Sequence, residues 1–518
     1  MHNQTTKVPV LSKISRLIRT NTDVVVCAFV YVAAVLASFP VSVILGKSPP
    51  RFTLWFDQGK YLAASSAFLH FNLDQHRHWY PFLYSLCLAP FAWLPTLTAV
   101  LVPDCLFFLM AFVGFRSVFS EFAISRRACV VLFLFATVAY PVTGDSWIQP
   151  WTTTLSAGLV WTALALAIRI VKTTDAELDH AGARCIGLGV VLGLLHLCRP
   201  ADAIMAVPIV LPVLAKLARH RLGWSMLARM ILAGTAVIGI GGCVYLGIYG
   251  PHPSGYLKLS AVYGANFAWF GWKAYLILID PRPWYPYGYG VLKIMPWLLL
   301  GLAGITVQIF SRKNRMITAI LLATASVYSV MMISYVDFLP SGLWKFGNFH
   351  YFKWLIPMFA AFAWIFVRDF AHRPVASTIA LVVAGLPAML HIDAMPAARD
   401  EPARLVLFPA VRASFDDVYF ARSGLTDRQG TQRAVYDFHP VPGDGGSVYA
   451  EPLRRDFAGD ERWIFPADRL SWPDNGAPVR RIVLPGPFPM QPQARYKATV
   501  GFGWPCWLPP YACPTDLP

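Results

Sequence analysis

"DVVVCAFVYVAAVLASFPVSVILG", Asp23–Gly46, is a run of 24 residues with one charge, at its first position. A hydrocarbon core about 30 Å thick is crossed by about 20 apolar residues in a helix, so this run reads as a membrane crossing. The next stretch, "WFDQGKYLAASSAFLHFNLDQHRHWYPFLYSL" (Trp55–Leu86), brings Asp57, three further charges and three histidines before the chain turns apolar again. So polar a segment directly after a first crossing is the place to look for surface chemistry.

Composition places the whole chain with that first run. Of 518 residues, 56% are hydrophobic and 14% charged, with mean hydropathy +0.50. Soluble domains carry roughly 25% charged residues, so the chain reads as a polytopic, mostly α membrane protein. Eleven apolar stretches are candidates for transmembrane helices: 23–46, 97–118, 127–142, 151–171, 185–198, 201–217, 227–249, 291–310, 316–338, 350–367 and 375–392. Three of them, 127–142, 185–198 and 201–217, are short for a straight crossing. The amino terminus lacks a convincing small-residue cleavage site after its apolar run and suits an uncleaved first helix.

A net charge of +16 invites a nucleic-acid reading, which its distribution removes. With residues 1–22 placed in the cytoplasm, 19 of the 44 Lys and Arg fall in short turns on that side. This is the positive-inside pattern, and the partner it implies is the bilayer. The same sidedness puts Asp57 and the carboxy terminus on the outer, periplasmic face of an inner or plasma membrane. From residue 393 the composition changes: 18 of the 41 prolines lie there, with 14 Lys/Arg and 15 Asp/Glu. Short alternating runs such as "RIVLP" and "YKATVGF" predict a small, β-rich outer domain over 393–518. Cys506 and Cys513 sit where a disulfide fits an oxidising compartment. There is no nucleotide fingerprint and no metal-type Cys/His spacing.

The outer loops carry the chemistry. In loop 47–96, Asp57 and Tyr61 are four apart and share a helix face. "YPFLYSLCLAPFAWLP" (Tyr80–Pro95) fits a helix lying in the interface, anchored by Trp79, Tyr80 and Trp93. The second loop, "YPVTGDSWIQPW" (Tyr140–Trp151), presents Asp145. Loop 250–290 is aromatic, with Trp269, Trp272 and Trp284. "SGLWKFGNFHYFKWLIP" carries Lys345, His350 and Lys353 toward the outer edge of a span, and Arg199 precedes Pro200 between two short spans. An acid at the surface can take a proton from a hydroxyl. Arg and Lys hold a lipid phosphate, and aromatic faces stack on sugar rings. The acids Asp57, Asp104, Asp145, Asp202, Asp280 and Asp337 fall at outer span ends in this reading.

In the order and sidedness of these motifs the chain resembles the C superfamily of membrane glycosyltransferases, which includes protein mannosyltransferases, aminoarabinose transferases of lipid A and arabinofuranosyltransferases. "GLLHLCRPADAIMAVPIVLPVL" (Gly193–Leu214) resembles that family's Gly…Arg-Pro helix pair, and "HYFKWLIPMFA" (His350–Ala360) the span after its late outer loop. The resemblance implies that Asp57 is catalytic and that the donor is a polyprenyl-phosphate-linked sugar, moved to a glycan, lipid or protein acceptor. Many members have two adjacent acids where this chain has Asp57-Gln58, which leaves the use of a divalent metal open.

The expected site therefore comprises Asp57 and Asp145 as catalytic acids, with Tyr61, Arg199, Lys345, His350, Lys353, Trp269 and Trp272 binding substrate. Plain readings stand beside it. Asp57 can cap its helix, Asp145 can cap the next, Arg199 can snorkel, His76 and His78 can face solvent, and the tryptophans can form an aromatic belt. The rival function is a lipid-linked sugar transporter or flippase, for which repeats and midplane charges are the usual signs.

Overall fold

The computed structural model describes residues 21–54, 56–178, 181–257, 265, 267, 270–279, 290–335, 338 and 348–371, and strand segments beyond residue 403. The chain is mostly helical. It divides into two compact units: residues 1–258 with 297–328 and 350–386, and residues 259–296 with 329–349 and 387–518.

The helices that matter for the first unit are α1 (Thr22–Ser38), α2 (Phe56–Leu69), α3 (Thr96–Phe119), α4 (Arg126–Leu134), α5 (Pro141–Ile148), α6 (Thr152–Lys172), α7 (Gly182–Cys198), α8 (Ala206–Leu217), α9 (Gly223–Tyr249), α10 (Trp297–Phe310), α11 (Arg315–Ser334) and α12 (Leu355–Ala371). Among the described residues five helical stretches are long and apolar enough to cross a membrane: Thr96–Phe122, Thr152–Lys172, Pro200–Leu217, Gly223–Tyr249 and Arg315–Ser334. A sixth is obtained by counting the bent pair Arg126–Ala139 and Val142–Ile148 as one span, and α1, α7 and α10 are shorter apolar helices. Of the eleven expected crossings, five or six meet that test among the described residues. Three of the shortfalls are helices of 14 to 17 residues, below the length a perpendicular crossing needs. The expected span at 375–392 lies outside the described residues.

The break between α4 and α5 has a sequence cause. Pro141 disfavours helical backbone at the residue before it, and Tyr140 is extended at φ −88°, ψ 123°. The turn ahead of it, Phe135–Ala139, widens into a π-helix, and the two halves meet at 85°. The bent segment is pinned from α1, where the Tyr31 hydroxyl donates to the Trp147 carbonyl at 3.0 Å. Around this pin sits an aromatic core. Phe108 of α3 stacks on Tyr31 at 4.6 Å and meets Trp147 edge-on at 5.3 Å, and Phe115 meets Trp161 of α6 at 5.3 Å.

Helix pairs cross at glycines, as expected where close backbone approach replaces hydrophobic burial as the source of packing. A methyl group on Gly114 of α3 would lie 2.6 Å from the Trp161 carbonyl carbon on α6. One on Gly304 of α10 would lie 2.1 Å from the Phe362 carbonyl oxygen on α12. On α7, Gly189 faces α9, and its added Cβ would fall 2.0 Å from the Met230 carbonyl oxygen. Gly189→Ala is therefore expected to cost about 1–3 kcal/mol by overpacking, read as a lowered unfolding temperature in detergent. Gly239→Ala on α9, where nothing lies within 4 Å, should be neutral or stabilising, because Ala is the better helix former by up to about 1 kcal/mol.

In the second unit the described elements are the helices Phe270–Leu278 and Val291–Ile294, the end of α11, a bridge between Ala265 and Tyr335, and strands. Arg404–Phe408, Asp417–Ser423 and Asp460–Pro466 pair antiparallel, while Tyr436–Pro440, Ser447–Pro452 and Arg481–Ile482 form a second group. Cys506 and Cys513 lie outside the described residues.

Candidate functional site

Asp57 sits in the first turn of α2, where the positive end of the helix dipole favours a carboxylate. It occupies the second position of that helix and so does not cap it. Its Oδ1 accepts a hydrogen bond from the hydroxyl of Tyr80. Burial pushes the Asp57 carboxyl above the usual carboxylate range, against the bond from Tyr80 and the charge of Arg199, both of which pull it down. Desolvation disfavours the charged form, and here it outweighs both opposing effects.

Tyr61 lies one turn on from Asp57, as the four-residue spacing requires. Its ring packs against Tyr80 at 4.9 Å and Tyr84 at 5.5 Å, and its hydroxyl bonds the side chain of Thr152 at the start of α6. Tyr80 also meets Tyr256 at 5.3 Å. Asp57 is thus set in a wall of phenols drawn from segments far apart in sequence.

Arg199 ends α7 in extended backbone, φ −151°, ψ 101°, as expected of a residue before proline. It is buried and does not snorkel. Its Nε lies 3.1 Å from Asp202 Oδ2, a charge contact and not an aligned hydrogen bond. Its guanidinium carbon is 4.7 Å from the centre of the Tyr351 ring. Asp202 in turn accepts from the Ser156 hydroxyl on α6. Tyr351 is held by the Tyr328 hydroxyl, which donates to its carbonyl at 2.8 Å. A guanidinium held by a carboxylate and an aromatic face has little freedom left to reorient.

His350 lies in the turn that leads into α12, and Lys353 directly after it. Both are buried. The turn Asn348–Phe352 folds them inward, because Trp151 and α6 supply partners there. His350 stacks on Trp151 at 3.7 Å, and its Nδ1 is 3.0 Å from Thr153 Oγ1. The Lys353 ammonium donates to the Ser146 carbonyl at 2.7 Å and to Thr154 Oγ1 at 2.8 Å. Two of its three donors are thus met by protein oxygens.

Asp145 lies on α5 and accepts from the Gln149 side chain at 2.9 Å. Asp104 is not at a span end. It lies inside α3, fully buried, and accepts from the Tyr84 hydroxyl at 3.0 and 3.1 Å. His78 is buried too, packed on Phe68 at 4.4 Å with Nε2 at 2.8 Å from the Asn72 carbonyl, so it does not face solvent. Trp93 is exposed, in keeping with an interface position. Lys345 and Trp269 lie outside the described residues, as does the side chain of Trp272. Among the described residues no group of three or more His, Cys, Asp or Glu is placed to hold a metal ion.

The structure therefore brings Asp57, Tyr61 and Arg199 together, and joins His350 to them through Tyr351, with ring centroids 4.1 Å apart. The partners that the sequence reading missed are Tyr80, Asp202 and Tyr351. Asp202 carried a signal: it follows Arg199 by three residues. Gln58, beside Asp57, is fully buried, and both its amide atoms lack a hydrogen-bond partner among the described residues. No protein family, curated protein or solved structure matches the chain, so the site is read from its own geometry.

Proposed function

We propose that this protein is an integral-membrane glycosyltransferase of the C-superfamily type. It moves a sugar from a polyprenyl-phosphate-linked donor to an acceptor hydroxyl on the outer face of an inner or plasma membrane. The observation that carries the reading is the half-buried Asp57 carboxyl, hydrogen-bonded to Tyr80 and within the field of the fixed Arg199 guanidinium. In the reaction Asp57 takes the acceptor hydroxyl proton as the new bond from that oxygen to the anomeric carbon forms. The bond from the anomeric carbon to the phosphate oxygen breaks, and polyprenyl phosphate leaves with its charge facing Arg199. General-base assistance of this kind is worth about 10²–10⁴ in rate. Tyr61, Tyr80 and Tyr351 offer ring faces and hydroxyls to the sugar, and Asp145 is kept as a second acid. The further spans, the outer domain over 393–518 and the donor-binding roles of Lys345, Trp269 and Trp272 belong to the same proposal.

A second reading, a lipid-linked sugar flippase, draws on one observation: Lys353 and Asp104 are ionisable groups fully buried among apolar helices, and such groups often mark transport pathways. Reconstitution in vesicles separates the two. A transferase releases polyprenyl phosphate and labels an added acceptor; a flippase moves intact donor between leaflets and leaves the acceptor unlabelled. The orientation has its own test. A reporter fused at residue 395 should behave as periplasmic, and activity of a cytoplasm-only reporter there would overturn the assignment of faces.

A further inference from the structure

Lys353 is fully buried, and what surrounds its ammonium resembles a coordination sphere. Two oxygens lie at hydrogen-bond distance, the Ser146 carbonyl at 2.7 Å and Thr154 Oγ1 at 2.8 Å. The ring of Trp147 lies 5.0 Å away, within the range of a cation–π contact. The charged groups in electrostatic reach are Asp104, Asp145 and, as a second cation, Arg199.

Each oxygen has a structural reason to face a positive charge. Ser146 belongs to the last turn of α5, where carbonyls lack helical partners and carry the negative end of the dipole. Thr154 stands in the first turn of α6, across the break Gln149–Trp151. Asp104 projects from α3, steadied by Tyr84. A carbonyl, a hydroxyl and an aromatic face, drawn from two helices, make a set suited to an ammonium ion, with the charges of Asp104 and Asp145 acting on it from beyond contact distance.

We propose that the break between α5 and α6 forms a binding site for a small ammonium ion, and that the tethered ammonium of Lys353 is its native occupant. Occupancy ties the bent segment 139–151, the start of α6 and the entry to α12 to one point. Lys353 is thus a positioning residue for the segment that bears Asp145. The inference does not depend on the transferase reading, since every measurement below reads binding or stability.

Lys353→Ala empties the site and leaves room for a free amine. The purified variant is expected to unfold at lower temperature than the parent, and to be cut faster by chymotrypsin within 140–151. Methylammonium should restore most of the lost unfolding temperature and the protection in a saturable manner, as a ligand that binds only the folded state must. Tetramethylammonium at equal ionic strength, with no N–H to donate, should restore neither. Equal effects of the two salts, or an unchanged unfolding temperature in Lys353→Ala, would overturn the proposal.

If Lys353→Ala yields no folded protein, a pair of variants decides. Lys353→Met removes a cation whose charge balances buried Asp104, and adding Asp104→Asn removes the unbalanced acid. The double variant should then give several-fold more monodisperse protein than Lys353→Met alone. Equal or lower yield from the double variant would show that the ammonium is not held by this acid.

Discussion

Asp57→Asn is expected to fold and insert normally yet to lose at least about a hundredfold in sugar transfer, the lower range for removal of a general base. The amide is near-isosteric and can still accept from the Tyr80 hydroxyl, so packing is preserved while basicity is lost. Asp74→Asn is the control: Asp74 accepts from the His76 backbone at the start of a short turn, away from the phenol wall, and its loss should leave transfer nearly intact. The pH profile supplies an independent sign. A base works only when deprotonated, and burial raises the Asp57 carboxyl above the usual range. The acid limb of the profile should therefore lie at higher pH than an ordinary carboxylate gives. The Tyr80 bond lowers that value, so Tyr80→Phe should move the limb further up. A limb that stays in place in Tyr80→Phe would remove Asp57 from the role.

Arg199→Met is expected to have the largest effect on stability. It leaves Asp202, only 1% exposed, as a buried acid without its cation, a loss that costs about 3–5 kcal/mol. Asp202→Asn strands the guanidinium in the same way. The double variant should be markedly less damaged than the sum of the two singles, because the groups share one interaction. Arg199→Lys separates structure from chemistry. It keeps the charge that balances Asp202 but loses the planar stacking on Tyr351. It should unfold close to the parent temperature while needing more donor to reach half-maximal transfer. Thermal unfolding in detergent and a donor titration read the two effects. An additive double variant, or an Arg199→Lys protein with parental donor dependence, would contradict this account of the site.

What the sequence disclosed, and what it did not, follows from the range of the interactions involved. Apolar runs announce helices because their composition is local, and α3, α6, α9 and α11 lie within a few residues of the expected spans. Lengths were less legible at proline breaks. Pro141 turns one apolar run into two short helices at 85°, and Pro200 separates α7 from the turn that leads into α8. The Asp57–Tyr61 face was legible because four residues make one helical turn. The place of Tyr80 beside Asp57 was not legible, since its bond to that acid crosses 23 residues. The partners of Lys353 were not legible either. Its partners are 199 and 207 residues away, and a lysine next to an apolar run looks the same in sequence whether it meets headgroups or a helix end.

The central claim is that this site transfers sugar from a lipid phosphate, and one measurement tests it most directly. The purified protein is reconstituted in bilayers with polyprenyl-phosphate donors labelled in the sugar, and label is counted in an added hydroxyl acceptor, with Asp57→Asn alongside. The account predicts label in the acceptor matched by release of polyprenyl phosphate, falling at least about a hundredfold in the variant. Label that crosses the bilayer still attached to its lipid, at the same rate in both proteins, would contradict it.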